Sequence, residues 1–376
     1  MDLIYLDNNA STPLLGAAWE AMQPYFLARY ANPASSHQAG RHARTALEDA
    51  REQIATLLDC HPAELIFTSG ATEANNLAVF GLAGAPPGTI VTSALEHPSV
   101  AEPVAQLATH GFSLNRLAVT QTGIIEFPQL LPENTRLLTV QLANHETGAL
   151  EHVQELTQRF AGVPLHCDAA AAAGKTPISF RQLGAAALTI SAHKFHGPKG
   201  IGALIVRKDL SLQPQLFGGH QQQGKRPGTE PVPLAVGMAV ALAWSLRNLE
   251  THCAKIRQLR ALMLSQLRHE VGPVVLNGPE EGGLPHTLNL SFPGCKADIL
   301  LMNLDLAGVA CATGSACSSG SLLPSPVLQA MRVPDDVLHS ALRFSLSPLT
   351  TERDVVEASR RISLSVKQLR SNLGVA

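Results

Sequence analysis

Short apolar runs alternate with helix-like segments over the first 250 residues, and this alternation is the feature that most constrains the fold. Residues 36–59 repeat apolar side chains every three or four positions, as an amphipathic helix does, and residues 73–81 also predict a helix. Strands that alternate with helices indicate an α/β fold with a mostly parallel sheet flanked by helices. The predicted core strands are residues 64–68, 89–93, 137–142, 164–167 and 186–190.

The pattern changes after about residue 249, which indicates a second, smaller α+β domain. A long predicted helix at residues 251–270 leads into short strands near 287–292. A loop at 311–321, rich in Gly, Ser and Cys, follows, and a helix from residue 352 closes the chain. The two predicted domains are a large one, residues 14–250, and a small one, residues 1–13 with 251–376.

Composition argues against several classes of partner. The 376 residues carry a net charge of −2 at pH 7, so we expect neither a nucleic acid nor an anionic membrane as a partner. The first seven residues lack the basic start and apolar core of a signal peptide. The longest apolar stretch, residues 232–244, is too short to span a bilayer.

The cysteine pattern predicts a reduced, cytoplasmic protein. None of the six cysteines forms a Cys-x-x-Cys pair, so any functional cysteine is expected to act as a thiol. No metal site is predicted either. The nearest candidates lack a second ligand pair at a familiar spacing, and they are His166, Cys167, His193 and His196.

One lysine lies between two predicted core strands. Lys194 follows the apolar run at residues 185–190 and precedes another at 201–206. Burying an ammonium group is costly, so one interpretation is a hairpin loop whose lysines face solvent. The other is a Schiff-base lysine that holds a cofactor, with Ser191 and His193 as phosphate ligands. These residues alone favour the hairpin, whereas the rest of the sequence favours the cofactor.

Residues 68–76 predict a strand, a turn of small residues and a helix start. Backbone N–H groups and the positive end of a helix dipole meet at such a junction, which suits a phosphate, although an ordinary capped helix has the same pattern. Gly174-Lys175-Thr176 resembles the end of a nucleotide-binding phosphate loop. However, Ala169 stands where that loop requires its first glycine, so nucleotide hydrolysis is weakly supported.

Two polar residues follow predicted strands, at the sheet edge where ligands bind in such folds. His97 comes after the strand at 89–93 and could stack on a ring or transfer a proton, although a single histidine is more often structural. Asp168 follows the strand at 164–167 and could cap a helix or pair with the pyridinium nitrogen of a cofactor.

Together these segments resemble the cysteine desulfurase family of pyridoxal-phosphate enzymes, in its branch with a long cysteine loop. The resemblance covers nearly the whole chain, and the joint order of the motifs is far more specific than any single motif. The matching segments are YLDNNA (5–10), NPASSH (32–37), TSGATE (68–73), EHPSV (96–100), HCDA (166–169), HKFHGPKGIG (193–202), GGHQ (218–221), GKRPGTE (224–230), GSACSSGS (314–321) and LRFSL (342–346).

The resemblance implies a fold-type I pyridoxal-phosphate transferase with a seven-stranded sheet, and it gives roles to particular residues. Lys194 would bind the cofactor and move the substrate Cα proton, Asp168 would keep the pyridine nitrogen protonated, and His97 would stack on the ring. The other implied cofactor-binding residues are Ala71, Thr72, Asn144, His145, Ser191, His193 and, across a homodimer interface, Thr229. The implied substrate-binding residues are Asn8, Asn144 and Arg343, whose guanidinium suits a carboxylate.

Cys317 would be the catalytic nucleophile. The implied reaction converts L-cysteine to L-alanine and leaves the sulfur on Cys317 as a persulfide. The sulfur would then pass to an acceptor protein for iron–sulfur cluster or other sulfur-product assembly. Only a thiolate is nucleophilic, so Cys317 needs a lowered pKa or a nearby base. Its Gly- and Ser-rich surroundings predict a mobile loop that carries sulfur out of a buried site.

Two positions near the implied cofactor ring depart from the family pattern. Members usually have a second asparagine at the position of His145 and a glutamine at the position of Ala171, and both would contact the ring's phenolic oxygen. We expect His145 to replace the lost donor and Ala171 to make room for it. A smaller departure is Ser347-Pro348-Leu349, where the family usually has Gly-Arg-Phe.

These departures leave other functions open. A selenocysteine lyase or a related C–S lyase shares nearly all of the motifs. A catalytically weakened member that acts in protein binding would explain the alanine at position 171 and the histidine at position 145. The chain also ends soon after its last predicted helix, without the tail that helps some relatives dock the iron–sulfur scaffold protein. This ending predicts another acceptor or another mode of docking.

Overall fold

The computed structural model describes residues 2–314 and 324–372. The strands are β1 (Ile4–Tyr5), β2 (Leu65–Thr68), β3 (Thr89–Ser93), β4 (Ser113–Leu117), β5 (Thr135–Gln141), β6 (Leu165–Asp168), β7 (Ala187–Ser191), β8 (Gly202–Val206), β9 (Val275–Asn277), β10 (Thr287–Ser291), β11 (Val309–Ala310) and β12 (Ala341–Ser345). The helices are α1 (Gly16–Leu27), α2 (Gln38–Leu57), α3 (Ala71–Ala83), α4 (Pro98–Thr109), α5 (Val153–Arg159), α6 (Phe180–Leu183), α7 (Val232–Arg247), α8 (Leu249–Val271), α9 (Ala297–Leu306), α10 (Pro326–Ala330), α11 (Asp335–Leu338) and α12 (Glu352–Asn372).

The largest sheet has seven strands in the order β2-β8-β7-β6-β5-β3-β4. Strands β4, β3, β5, β6 and β7 are parallel to one another, and β8 runs antiparallel to both of its neighbours, β7 and β2. The prediction of a mostly parallel seven-stranded sheet is therefore confirmed. Because β2 and β7 both oppose β8, the carboxyl ends of β2, β3, β5, β6 and β7 meet at one edge.

Helices cover both faces of this sheet, and the strand residues alternate between them. Ile90 packs in a cluster with residues of α3 and α4, whereas its neighbour Val91 packs in the cluster that contains residues of α2 and α7. The same alternation separates Leu137 from Leu138 on β5. Successive side chains of a strand point to opposite faces, so a strand buried on both faces must be apolar along its length. This explains why the core strands could be predicted from short runs that are rich in apolar residues.

A second core forms around the antiparallel sheet β12-β10-β9, with α8, α9 and α12 packed against it. Ile4 and Leu6 from the N-terminus join this core beside Val355 and Ile362 of α12. The same N-terminal segment carries β1, which pairs with β11. The proposed division into residues 14–250 and residues 1–13 with 251–376 remains a prediction. This core draws on both ends of the chain, as that division expects.

In the described part of the chain, no single helix is both long and apolar enough to cross a membrane. Only α7 and α8 taken together meet the criteria of length and composition, and the two meet at a bend of 70°.

Candidate active site

A cavity of about 630 Å³ opens at the edge where the parallel strands end. The segments that follow β2, β3, β5, β6 and β7 each contribute to its wall. The cavity brings together eight residues that the sequence nominates, namely Ala71, Thr72, His97, His145, Asp168, Ser191, His193 and Lys194. Ala171, one of the two unusual positions, also lines it.

Part of this cavity is suited to an anion. It contains the start of α3, a helix of 13 residues, and the first N–H groups of a helix have no partner within it. Beside it is Ser191, the last residue of β7, whose Oγ is buried and lacks a hydrogen-bond partner within residues 2–314 and 324–372. A Cβ placed on Gly70 would lie 3.9 Å from this oxygen, so the serine faces the start of the helix. An oxyanion here would satisfy both groups.

A buried hydrogen-bond network holds Asp168 and His97. The Asn75 side-chain amide donates to Oδ2 of Asp168 at 2.8 Å and to Oγ of Ser99 at 2.9 Å. Oγ of Ser99 lies 2.8 Å from Nδ1 of His97. The other Asp168 oxygen accepts from the backbone N–H of Ala170 at 2.9 Å. The carboxylate and the imidazole are therefore fixed relative to each other by a residue on α3.

Two histidine rings meet inside the cavity. The centroids of His97 and His145 are 5.2 Å apart, and the rings are nearly perpendicular at 77°. Burial is the main cause of a lowered pKa at each ring, and at His145 the pKa falls well below its usual value. Nε2 of His145 lies 3.8 Å from Oε1 of Glu146. Neutral imidazoles carry both a donor and an acceptor nitrogen, so this pair can hold or pass a proton.

Lys194 reaches the cavity from a short turn, Ala192–Lys194, directly after β7. Its Nζ donates to the carbonyl oxygens of Asn9 at 2.5 Å and Ala10 at 3.2 Å. Strands β7 and β8 do form an antiparallel hairpin, so that part of the first interpretation holds. The expectation that the lysines of this loop face solvent is wrong for Lys194, which is partly buried in the cavity wall. Lys199 is exposed.

The remaining predicted site residues lie outside the cavity wall or outside the described chain. Arg343 is 2% exposed, and its guanidinium donates to Oδ1 of Asp7 at 2.9 Å and to the His145 carbonyl at 3.1 Å. Oδ1 of Asn144 accepts from the backbone N–H groups of residues 146 and 147, which shapes the turn that carries His145. Asn8 lines a separate small cavity behind Lys194, and Thr229 is exposed at the surface. Cys317 lies outside the described residues.

Comparison with known proteins decides the family. The model of the family Aminotransferase class-V matches residues 4–357. A relative named cysteine desulfurase IscS, from Dictyoglomus turgidum, is 39% identical over 98% of this chain and 95% of its own length. The chain belongs to the cysteine desulfurase family. The predicted resemblance is therefore confirmed, and the enzyme is a pyridoxal-phosphate-dependent desulfurase.

Solved structures agree with this assignment. A NifS-like protein superposes on the desulfurase with a TM-score of 0.92 at 31% identity, covering 97% of this chain and 100% of that one. A second structure, described as SspA in complex with cysteine, gives a TM-score of 0.82 at 32% identity and covers 92% of this chain and 99% of its own. The predicted fold class is thus confirmed.

The residues of the cavity suit pyridoxal 5′-phosphate. The start of α3, the orphaned Ser191 hydroxyl and Thr72 match a phosphate dianion. Burial and the charge of Lys194 lower the pKa of His193 to about 4, so this imidazole is neutral and retains one N–H donor for that anion. Asp168 would pair with the pyridinium nitrogen, and Lys194 would supply the amine that binds the aldehyde.

Three further residues of the desulfurase site were not predicted. Asn75 and Ser99 orient Asp168 and His97, and Gln141, the last residue of β5, lines the cavity. Nε2 of Gln141 is buried without a hydrogen-bond partner in the described chain. The sequence feature that could have identified them is a polar residue at the end of an apolar strand or within an apolar helix. Within residues 2–314 and 324–372, no group of His, Cys, Asp and Glu is arranged to hold a metal ion.

Proposed function

We propose that this desulfurase converts L-cysteine to L-alanine and moves the sulfur, as a persulfide on Cys317, to an acceptor protein. The convergence of Lys194, Asp168 and the two histidines on one cavity with an anion-binding wall carries this proposal. The structural relative that holds cysteine supports the choice of substrate.

The cofactor, when bound, supplies an electron sink that acidifies the substrate Cα–H and weakens the C–S bond. Lys194 takes that proton with its amine and returns it. Asp168, held by Asn75 and the Ala170 N–H, keeps a compensating negative charge at a fixed point. His97 is neutral near pH 7 and can accept a proton from the substrate thiol or donate one to the product.

Arg343 is the proposed partner of the substrate carboxylate. Its Nε is buried without a hydrogen-bond acceptor among the described residues, and its terminal nitrogens contact Asp7 and the His145 carbonyl. A substrate carboxylate would take the place of Asp7 in the ion pair, since a bidentate contact needs two adjacent nitrogens. Asn8 and Asn144 are proposed to complete this end of the site.

We further propose a cytoplasmic homodimer with no nucleic acid or membrane as a partner. The exposed apolar residues of α1 and its C-terminal extension support a subunit interface, since Trp19, Phe26, Leu27 and Tyr30 are 47%, 50%, 78% and 79% exposed. The exposed Thr229 would reach the cofactor phosphate of the other subunit. The sulfur acceptor is a protein that bears a thiol. The segment that carries Cys317 delivers the sulfur to this thiol.

The test is the product formed from L-cysteine by the purified enzyme with a reductant present. Alanine and sulfide in equal amounts are expected, and pyruvate with ammonia would instead identify a C–S lyase. A parallel assay with L-selenocysteine measures kcat/KM for the rival substrate, and a much larger value would assign a selenocysteine lyase. If neither substrate reacts while the cofactor absorbance is intact, the protein-binding alternative replaces the proposal.

Replacing His145 tests its proposed role as donor to the phenolic oxygen of the cofactor. Without a donor that oxygen holds its shared proton more tightly, so His145→Ala should raise the pH at which the bound cofactor changes colour. One hydrogen bond of about 1 kcal/mol corresponds to about 0.7 pKa unit. His145→Asn, which restores the usual family residue, serves as the matched control with a smaller shift. A titration of His145→Ala that overlays the wild type would contradict the role.

A further inference from the structure

An acidic residue stands at the anion-binding wall of the active-site cavity. Glu73 lies in the first turn of α3 and lines the cavity together with residues 69–72. Its Oε2 accepts the backbone N–H of Ser69 at 2.7 Å. A carboxylate is stabilised by the positive end of a helix dipole, as an anionic ligand is. Ionised Glu73 therefore places a negative charge beside the proposed position of the cofactor phosphate.

The guanidinium of Arg226 pairs with this carboxylate. Nε of Arg226 donates to Oε1 of Glu73 at 2.7 Å, and Nη2 donates to Oε2 at 3.2 Å, so both carboxylate oxygens are engaged. The two side chains are 21% and 20% exposed, which limits the screening of the pair by solvent. Burial alone would raise the pKa of Glu73, but the hydrogen bonds from Arg226 and Ser69 lower it below its usual value. Glu73 is therefore ionised near neutral pH.

The segment that carries Arg226 is fixed against β2, the edge strand that leads to the anion-binding wall. Oε1 of Gln222 accepts from the backbone N–H of Phe67 on β2 at 2.9 Å and from Arg51 at 3.2 Å. The Gln222 amide nitrogen donates to Glu230, at the other end of the segment. Gln222 is 7% exposed, so these hydrogen bonds are buried. They hold the backbone on both sides of Arg226 in place beside Glu73.

We propose that Arg226 is a positioning residue that neutralises Glu73 and thereby sets how tightly the anion-binding wall holds the cofactor phosphate. An unpaired Glu73 carboxylate would repel a phosphate dianion at this partly buried site, where charges are weakly screened. Lys199 also lines the cavity, but it is exposed, so solvent screens its charge. This inference rests on the proposed position of the phosphate at the start of α3, and not on the reaction that the enzyme performs.

The experiment measures two dissociation constants for the cofactor-free enzyme by absorbance titration, one for pyridoxal 5′-phosphate and one for pyridoxal, which lacks the phosphate. Arg226→Met should weaken the binding of pyridoxal 5′-phosphate about tenfold and leave pyridoxal binding nearly unchanged, because only the phosphate meets the unpaired carboxylate. Added salt should reduce this difference. Glu73→Gln removes the charge but keeps an oxygen that accepts from Ser69, so this variant should bind pyridoxal 5′-phosphate at least as tightly as the wild type.

The double variant of Glu73→Gln with Arg226→Met separates charge from packing. It should recover most of the tenfold loss, because the carboxylate that Arg226 neutralises is gone. A loss that persists in the double variant would overturn the proposal, since Arg226 would then act by holding its segment. An equal loss of pyridoxal binding in Arg226→Met would overturn it too. Arg207→Met breaks an exposed ion pair with Asp209, controls for the loss of an arginine and should match the wild type.

Ser191→Ala tests the position of the phosphate itself, and it should weaken the binding of pyridoxal 5′-phosphate but not that of pyridoxal. If it changes neither constant, the phosphate lies elsewhere and the inference falls with that position. If Ser191→Ala has its expected effect and Arg226→Met has none, only the role of Arg226 is rejected. The titration needs no turnover, so an absence of alanine formation would reject only the proposed function.

Discussion

Lys194→Ala should abolish alanine formation from L-cysteine, with a loss of at least about a thousandfold in kcat. The variant removes both the amine that we propose attaches the cofactor and the base that we propose moves the Cα proton. Position matters as much as chemistry here, since the amine is held by the carbonyl oxygens of Asn9 and Ala10 beside Asp168 and His97. No other lysine is fixed in this way within the described chain.

Borohydride reduction followed by peptide mass spectrometry gives a second readout of the same variant. In the wild type, the reduced cofactor should be found on the peptide that contains Lys194, and in Lys194→Ala it should be found on no peptide. Lys208→Ala controls for the loss of a surface lysine. Retention of a tenth or more of the wild-type rate, or labelling of a different lysine, would refute the assignment.

Cys317→Ser should eliminate the enzyme-bound persulfide and lower alanine formation by at least about a hundredfold, with the cofactor absorbance unchanged. A serine hydroxyl has nearly the same size as a thiol, but it does not ionise near neutral pH and cannot hold sulfur as a persulfide. Persulfide labelling and alanine assays on the same preparation would measure both effects.

Cys311 provides a matched control for this experiment. It lies in the described chain just before the Cys317 segment, and burial raises the pKa of its thiol to about 12. At pH 7 only about one molecule in 10⁵ carries the thiolate at that position, so Cys311→Ser should retain the persulfide and the activity. If persulfide persisted in Cys317→Ser and disappeared in Cys311→Ser, the nucleophile would have to be reassigned.

The strands of the large sheet could be predicted from the sequence because the inner strands are buried on both faces. Short runs rich in apolar residues marked β3, β5, β6 and β7, and the polar residues at their ends had to meet at one edge. For this reason Asp168 and Lys194 both line the cavity at that edge. Helix ends were less certain: the helix expected at residues 251–270 extends over Leu249–Val271, and the one expected at 73–81 extends over Ala71–Ala83.

Contacts between distant residues could not be predicted from local pattern. Arg343 pairs with Asp7 across 336 positions, and nothing in either motif indicates that contact. Asn144 matched a family motif, yet its side-chain oxygen is used by its own turn. Asn75 and Gln141 were not predicted as site residues, because a single side-chain amide in an apolar segment also fits an ordinary core position. The sequence indicated the residue types of the site, whereas the contacts between those residues could be identified only from the folded structure.

The N-terminal segment, residues 7–12, makes hydrogen bonds at both ends of the site. Asp7 holds Arg343, the Asn9 side chain holds the His145 carbonyl, and the Asn9 and Ala10 carbonyls hold the amine of Lys194. Thr12 then anchors the turn itself through the His193 carbonyl. If the substrate carboxylate takes the place of Asp7 on Arg343, as proposed, the change occurs within three residues of the Asn9 and Ala10 groups that contact His145 and Lys194. The N-terminal segment therefore connects the proposed carboxylate site to the lysine amine.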